Sequence, residues 1–133
     1  MPPYWGPLPA NVRAEGRLPL TMPPATCTAM VHHGGNGTTP AGLGAGVRHL
    51  VLPGGADGHE AARILRARGV GMASSPEAVD ADLLRHLLTD DAMPTAAAEV
   101  RDETAALSSP ATIVPRLEQP AGTAPHRAPR TAA

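Results

Sequence analysis

Residues 28–39 read Thr28-Ala29-Met30-Val31-His32-His33-Gly34-Gly35-Asn36-Gly37-Thr38-Thr39. An apolar run is followed by two histidines, a glycine loop and a hydroxyl pair. Glycines let the backbone come close to a bulky ligand and adopt positive φ where a turn requires it. Thr38 starts a helical pattern that runs to Ala45, with Gly46 placed as its C-cap. A strand end, a glycine loop and a helix start together favour an anion, because free amides and the helix dipole face it. His32 and His33 are neighbours at a strand end, so their side chains point to opposite faces. At most one reaches a ligand. The loop is not a P-loop, since no Gly-Lys-Ser/Thr follows. It is not the dinucleotide fingerprint either, because the glycine spacing differs and no acidic residue sits about 20 residues on at a strand end. On these residues alone, a phosphate cradle and a plain glycine turn with one packed and one solvated histidine both remain open.

Working outward, Thr28–His32 reads as a buried strand. His49-Leu50-Val51-Leu52 reads as a second, ended by Pro53-Gly54-Gly55. Asp57 looks like an N-cap with Glu60 as capping-box partner. Ala61, Ile64, Leu65 and Arg68 then repeat at helical spacing, up to Gly69. Val70-Gly71-Met72 reads as a short strand. Ser75-Pro76-Glu77 and Asp80 are helix starts, and Leu83, Leu84, Leu87 and Leu88 form one apolar stripe. Further helices are predicted over Thr95–Leu107 and Pro110–Leu117. Strands alternating with helices imply a parallel sheet with helical crossovers, an α/β fold. In such sheets ligands bind beyond the carboxyl ends of the strands, where Gly34–Gly37 and Gly54–Asp57 both lie.

Composition sets the bounds. The chain has 133 residues, enough for one small domain, and a formal net charge of -1. No charge block points to nucleic acid or an anionic membrane as partner. No apolar stretch approaches the roughly 20 residues that span a bilayer, and Met1–Pro9 lacks the pattern of a secretory signal. A cytoplasmic protein is expected. Cys27 is the single cysteine, so no internal disulfide or cysteine metal cluster is expected. The histidines at 49, 59, 86 and 126 show no ligand spacing. Much of the apolar content is Ala and there is no Phe, so a marginal core is expected. Pro2, Pro3, Pro7, Pro9, Pro19, Pro23 and Pro24 leave room for only a short extended piece over Val12–Leu18. Residues 119–133 are Pro-, Ala- and Arg-rich and read as a disordered tail.

The flanks of the loop add a resemblance. Leu18-Pro19-Leu20, Cys27–Thr39, Gly46-Val47, Leu50-Val51-Leu52-Pro53, Asp57 and Leu107–Val114 together resemble one family. It is the C-terminal, donor-binding domain of GT-B nucleotide-sugar glycosyltransferases, in the branch that glycosylates macrolides and other antibiotics. The match covers about residues 10–118, after a Pro-rich lead over 1–9. The resemblance implies part of a Rossmann-like parallel sheet with flanking helices. It implies hexosyl transfer from a UDP- or dTDP-sugar to a natural-product hydroxyl, with no other cofactor and no metal. His33, Gly35, Gly37 and Thr38 are then the donor diphosphate contacts, Arg17 and Leu18 the nucleobase contacts, and Asp57 the sugar contact. A plain N-cap role for Asp57 is compatible with that.

Some positions depart from the family pattern. Gly58 stands where a sugar-binding Gln is common, Arg48-His49 where Pro-Gln is common, and Ala41 where plant relatives carry a ribose-binding Glu. Met22-Pro23-Pro24 interrupts a usually apolar approach. The acceptor domain, which supplies the base that deprotonates the acceptor, has no counterpart here, so no catalytic residue is assigned and the chain is expected to be inactive alone. The first strands of the donor domain are also unmatched, which predicts an unpaired apolar strand and self-association. Two alternatives are a nucleotide-sugar-binding subunit completed by an acceptor-domain partner chain, and a decayed remnant of a longer gene.

Overall fold

The computed structural model describes residues 6–16, 19 and 26–118. Its elements are β1 (Ala29–His32), α1 (Thr38–Ala45), β2 (Arg48–Val51), α2 (Ala56–Ala67) and β3 (Gly71–Ala73). A 3-10 turn (Pro76–Ala78), α3 (Ala81–Thr89), α4 (Met93–Ala105), a second 3-10 turn (Pro110–Ile113) and α5 (Val114–Leu117) follow. The strands form a parallel sheet in the order β1-β2-β3, with Met30 opposite His49 and Leu50 opposite Met72. This is the expected α/β layering of a parallel sheet with flanking helices.

Alternation along β2 sends successive side chains to opposite faces. Val51 joins Ala62, Leu65, Val70, Ala97 and Val100, a cluster built on α2 and α4. Leu50 joins Leu87 and Met93, with Met72 and Leu83 packed against them. Helices therefore cover both faces of β2, which is why Leu50 and Val51 are fully buried. The helices are fitted by local chemistry. Gly46, at φ 68°, closes α1 as expected. Gly69, at φ 69°, lets Val70 N reach back to the Leu65 carbonyl at 3.0 Å. The Asp80 carboxylate accepts from Leu83 N at 2.8 Å and starts α3.

Several expectations need correction. No strand forms over residues 12–16, which are exposed and irregular. Val12 N instead turns back onto the Pro9 carbonyl at 2.9 Å. The rest of that expected piece, Arg17 and Leu18, lies outside the described residues, as does the 119–133 tail. β1 is not fully buried: Val31 is 50% exposed, because among the described residues β1 pairs only with β2. The capping box at Asp57 and Glu60 is absent. The N-cap is Gly55, so Asp57 already lies in the first turn of α2, and Glu60 pairs with Arg63 one turn on. In α3 the leucine stripe is only partly used: Leu87 is buried, while Leu84 and Leu88 stay exposed. α4 starts at Met93, before Thr95, because Asp90 Oδ1 accepts from both Ala92 N and Met93 N. Those bonds hold the Asp90 carboxyl below its usual range.

Arg48 ties the sheet to that corner. Its guanidinium donates to the Leu88 carbonyl at 2.8 Å and to the Asp90 carbonyl at 3.3 Å, where the end of α3 presents unsatisfied carbonyls. Replacing it with Met should lower stability by about 1–2 kcal/mol, read as a lower urea midpoint with unchanged slope. Beside it, His49 is fully buried. Desolvation, and then the neighbouring His32, lower its pKa from 6.5 to about 4. A proton that the unfolded chain takes up near pH 6.5 is thus refused by the fold until about pH 4. Stability should be full above that window and fall as pH drops through it, by about 3 kcal/mol in all. Urea midpoints from pH 7.5 to 4.5 check this, and His49→Gln should flatten the dependence.

Candidate functional site

The loop between β1 and α1 is shaped by close backbone packing against the first turn of α2. Gly34 has φ 87°. A Cβ placed on it would stand 2.7 Å from Gly58 Cα, and a Cβ on Gly58 would stand 2.5 Å from the His33 carbonyl oxygen. Only glycine suits these two positions. This gives Gly58 a structural reason of its own: any side chain there must displace backbone.

His32 and His33 divide as the strand alternation requires, His32 buried and His33 exposed. His33 folds its ring back over the loop, and a Cβ on Gly35 would lie 2.4 Å from its Nε2. The amides of Thr38 and Thr39 both donate to the Gly35 carbonyl, at 3.1 and 3.0 Å. That leaves Thr38 its hydroxyl rather than its amide. The amides of Gly35, Asn36 and Gly37 have no hydrogen-bond partner among the described residues. They stand at the N-terminus of α1, whose N-cap is Gly37. Three free amides, one imidazole and one hydroxyl therefore gather on one short turn, a set of donors suited to a phosphate-like anion.

Asp57 is exposed in the first turn of α2, its Oδ1 accepting from Gly58 N at 3.0 Å. It shares with Asn36 and Thr39 an open groove of about 380 Å³ between α1 and α2, whose apolar lining includes Leu43 and Ile64. The structure thus brings His33, Gly35, Gly37 and Thr38 onto one turn and sets Asp57 on a groove that this turn borders. Arg17 and Leu18 lie outside the described residues. Among the described residues no cluster of His, Cys, Asp or Glu could hold a metal ion, and no helix is long and apolar enough to cross a membrane.

Sequence reasoning missed the layer beneath the loop. His32 Nε2 lies 2.8 Å from His49 Nδ1, and His32 Nδ1 accepts from Gly34 N at 3.1 Å. The signal was the phase of the two strands. His32 pairs with Val51, so His49, two residues earlier on β2, lies on the same face.

Known proteins agree with this architecture. Residues 3–119 match the model of the family described as erythromycin biosynthesis protein CIII-like, C-terminal domain. Elloramycin glycosyltransferase ElmGT of Streptomyces olivaceus is 46% identical over 112 residues, covering 84% of this chain and 29% of that protein. The glycosyltransferase SnogD from Streptomyces nogalater superposes with a TM-score of 0.76 at 37% identity, over 85% of this chain and 31% of that one. The spinosyn rhamnosyltransferase SpnG, complexed with thymidine diphosphate, superposes with a TM-score of 0.79 at 32% identity, over 86% of this chain and 32% of that one. The chain spans under a third of the length of these relatives. With the fold, the loop and the family model in agreement, this chain belongs to the erythromycin biosynthesis protein CIII-like C-terminal-domain family, the C-terminal part of GT-B antibiotic glycosyltransferases.

Proposed function

We propose that residues 10–118 act as the donor-binding part of a glycosyltransferase that moves a sugar from a dTDP- or UDP-sugar to a hydroxyl of an antibiotic-type natural product. The observation that carries this is the β1–α1 turn. Its amides at Gly35, Asn36 and Gly37 are free among the described residues, and the His33 ring folds back against Gly35. On this reading His33, Gly35, Gly37 and Thr38 hold the diphosphate, Arg17 and Leu18 border the nucleobase, and Asp57 accepts hydrogen bonds from sugar hydroxyls. Donors preset around the diphosphate stabilise the negative charge that builds on the leaving group as the glycosidic bond breaks. The thymidine diphosphate in the related SpnG structure supports a thymidine nucleotide first.

The group that takes up the acceptor's proton belongs, on this reading, to the acceptor side of the complete enzyme, outside these 133 residues. The chain alone then binds donor without transferring it. Val31, 50% exposed on a strand that pairs on one side among the described residues, favours completion of the sheet by further polypeptide. That is either the rest of the enzyme, a separate acceptor-domain chain or a second copy.

Calorimetric titration with dTDP tests the reading. His33→Ala should weaken dTDP about 10- to 100-fold, the scale of one charge-assisted hydrogen bond, and leave thymidine unaffected. Equal dTDP affinity in wild type and variant would remove His33 from the diphosphate site. Asp57→Asn should leave dTDP affinity unchanged and weaken a dTDP-hexose by about 3- to 10-fold, on the scale of a neutral hydrogen bond. The ratio of the two dissociation constants reads the sugar contact alone.

A further inference from the structure

We infer that His49 is a positioning residue for the donor loop: through His32 it fixes the direction of the Gly34 amide, and so the form of the turn that presents the free amides of Gly35, Asn36 and Gly37. The inference rests on the donor-binding reading for what the loop holds, and on geometry alone for how it is held.

The hydrogen bonds allow only one proton arrangement in the neutral pair. A backbone amide can only donate, so Gly34 N–H makes His32 Nδ1 an acceptor. A neutral imidazole with a bare Nδ1 carries its proton on Nε2. That proton points to His49 Nδ1, 2.8 Å away, which must then be bare too. His49 in turn carries its proton on Nε2, an atom that is buried without a hydrogen-bond partner among the described residues. The rings meet edge to face, with centroids 5.0 Å apart and planes inclined by 72°. The result is a directed chain of two bonds, from loop amide to strand β1 to strand β2.

His49 is held firmly enough to act as the fixed end of this chain. A Cβ on Gly42 of α1 would come within 2.4 Å of its Cε1, and a Cβ on Gly71 of β3 within 2.5 Å of its carbonyl oxygen. Gly42 therefore lies against the ring itself, and Gly71 against the carbonyl and Cβ from which the ring projects. At the other end, Gly34 is the residue at positive φ where the chain leaves β1. Drawing its amide inward onto His32 leaves the next three amides without a hydrogen-bond partner among the described residues. Any additional proton has an unfavourable place: on His32 Nδ1 it faces the Gly34 N–H, and on His49 Nδ1 it faces the His32 N–H. Burial lowers the pKa of both rings, in keeping with a pair that works uncharged. The charged forms of His33 and His32 act on this pair in the same direction. α1 and β3, which flank His49, contain no ionisable side chain.

Long-range proton–nitrogen spectra of the full chain, labelled at histidine and recorded near pH 7.5, test the arrangement directly. Both rings should show a bare Nδ1 and a protonated Nε2; a protonated Nδ1 on either ring overturns the inference. Titration with dTDP then tests its consequence. His49→Gln, whose Oε1 can accept from His32 Nε2–H, should stay within about threefold of wild type. His49→Leu, which fills the space without an acceptor, should bind about tenfold more weakly while remaining folded by circular dichroism. A folded His49→Leu that binds dTDP as wild type does would make His49 a mere space-filler and overturn the inference. Should His49→Leu not fold, the His32 ring in His49→Gln decides: retention of its Nε2 proton with wild-type affinity supports the chain of bonds, and a switch to Nδ1 without loss of affinity overturns it. If wild type itself binds no dTDP, the donor reading fails and takes the role of the loop with it. The wild-type ring spectra still decide, separately, whether the bond chain exists.

Discussion

The structure turns on one backbone contact. Gly34, leaving β1, and Gly58, in the first turn of α2, approach until a single Cβ on either would collide with the main chain of the other segment. Two secondary-structure units joined through separate crossovers are thereby pressed together at the carboxyl end of the sheet. The glycine turn must then fold outward over α1, and α2 must begin beside it. The groove shared by Asn36, Thr39 and Asp57 is the space these constraints leave. Hydrophobic burial holds the layers together, but it is non-directional. The glycine contact decides how the two loops face each other.

Much of this was legible from residue patterns, because the signals were local. Gly46 and Gly69 mark helix ends through the one backbone conformation that costs other residues most, and Asp80 caps the helix that follows it. The failures came where a competing partner or a missing neighbour overrode the local signal. Asp57 and Glu60 have capping-box spacing, yet α2 begins before Asp57 and Glu60 is taken by Arg63. Thr28–His32 reads as a buried strand, but burial depends on neighbours that a short apolar run does not specify. Val31 faces outward for that reason.

The departures from the family pattern change meaning once their contacts are seen. Gly58, in place of a common Gln, is the residue the close approach at Gly34 requires. Arg48 and His49, in place of Pro and Gln, have bonds of their own: one guanidinium reaches the α3–α4 corner and one imidazole lies beneath the glycine loop. A proline at position 48 could make neither bond to that corner. The adjacent histidines of the motif carry separate duties as well. His32 turns inward to a partner on β2, and His33 turns outward over the turn. Adjacent residues on a strand can do this only because the pleat alternates.

The tight fit of Gly42 against the His49 ring has an evolutionary consequence. Volume at these two positions is shared, so neither can change freely alone. An alanine at position 42 needs something slimmer than imidazole at position 49, whereas a histidine at 49 confines position 42 to glycine. Substitutions here are accessible in one order only, with the strand residue shrinking before the helix residue grows. Lineages that keep the buried histidine pair therefore inherit a weak point in α1, since glycine in a helix interior costs about 0.5–1 kcal/mol relative to alanine. Part of the helix behind the glycine loop is thus kept softer than its length requires, as a side effect of what lies beneath it.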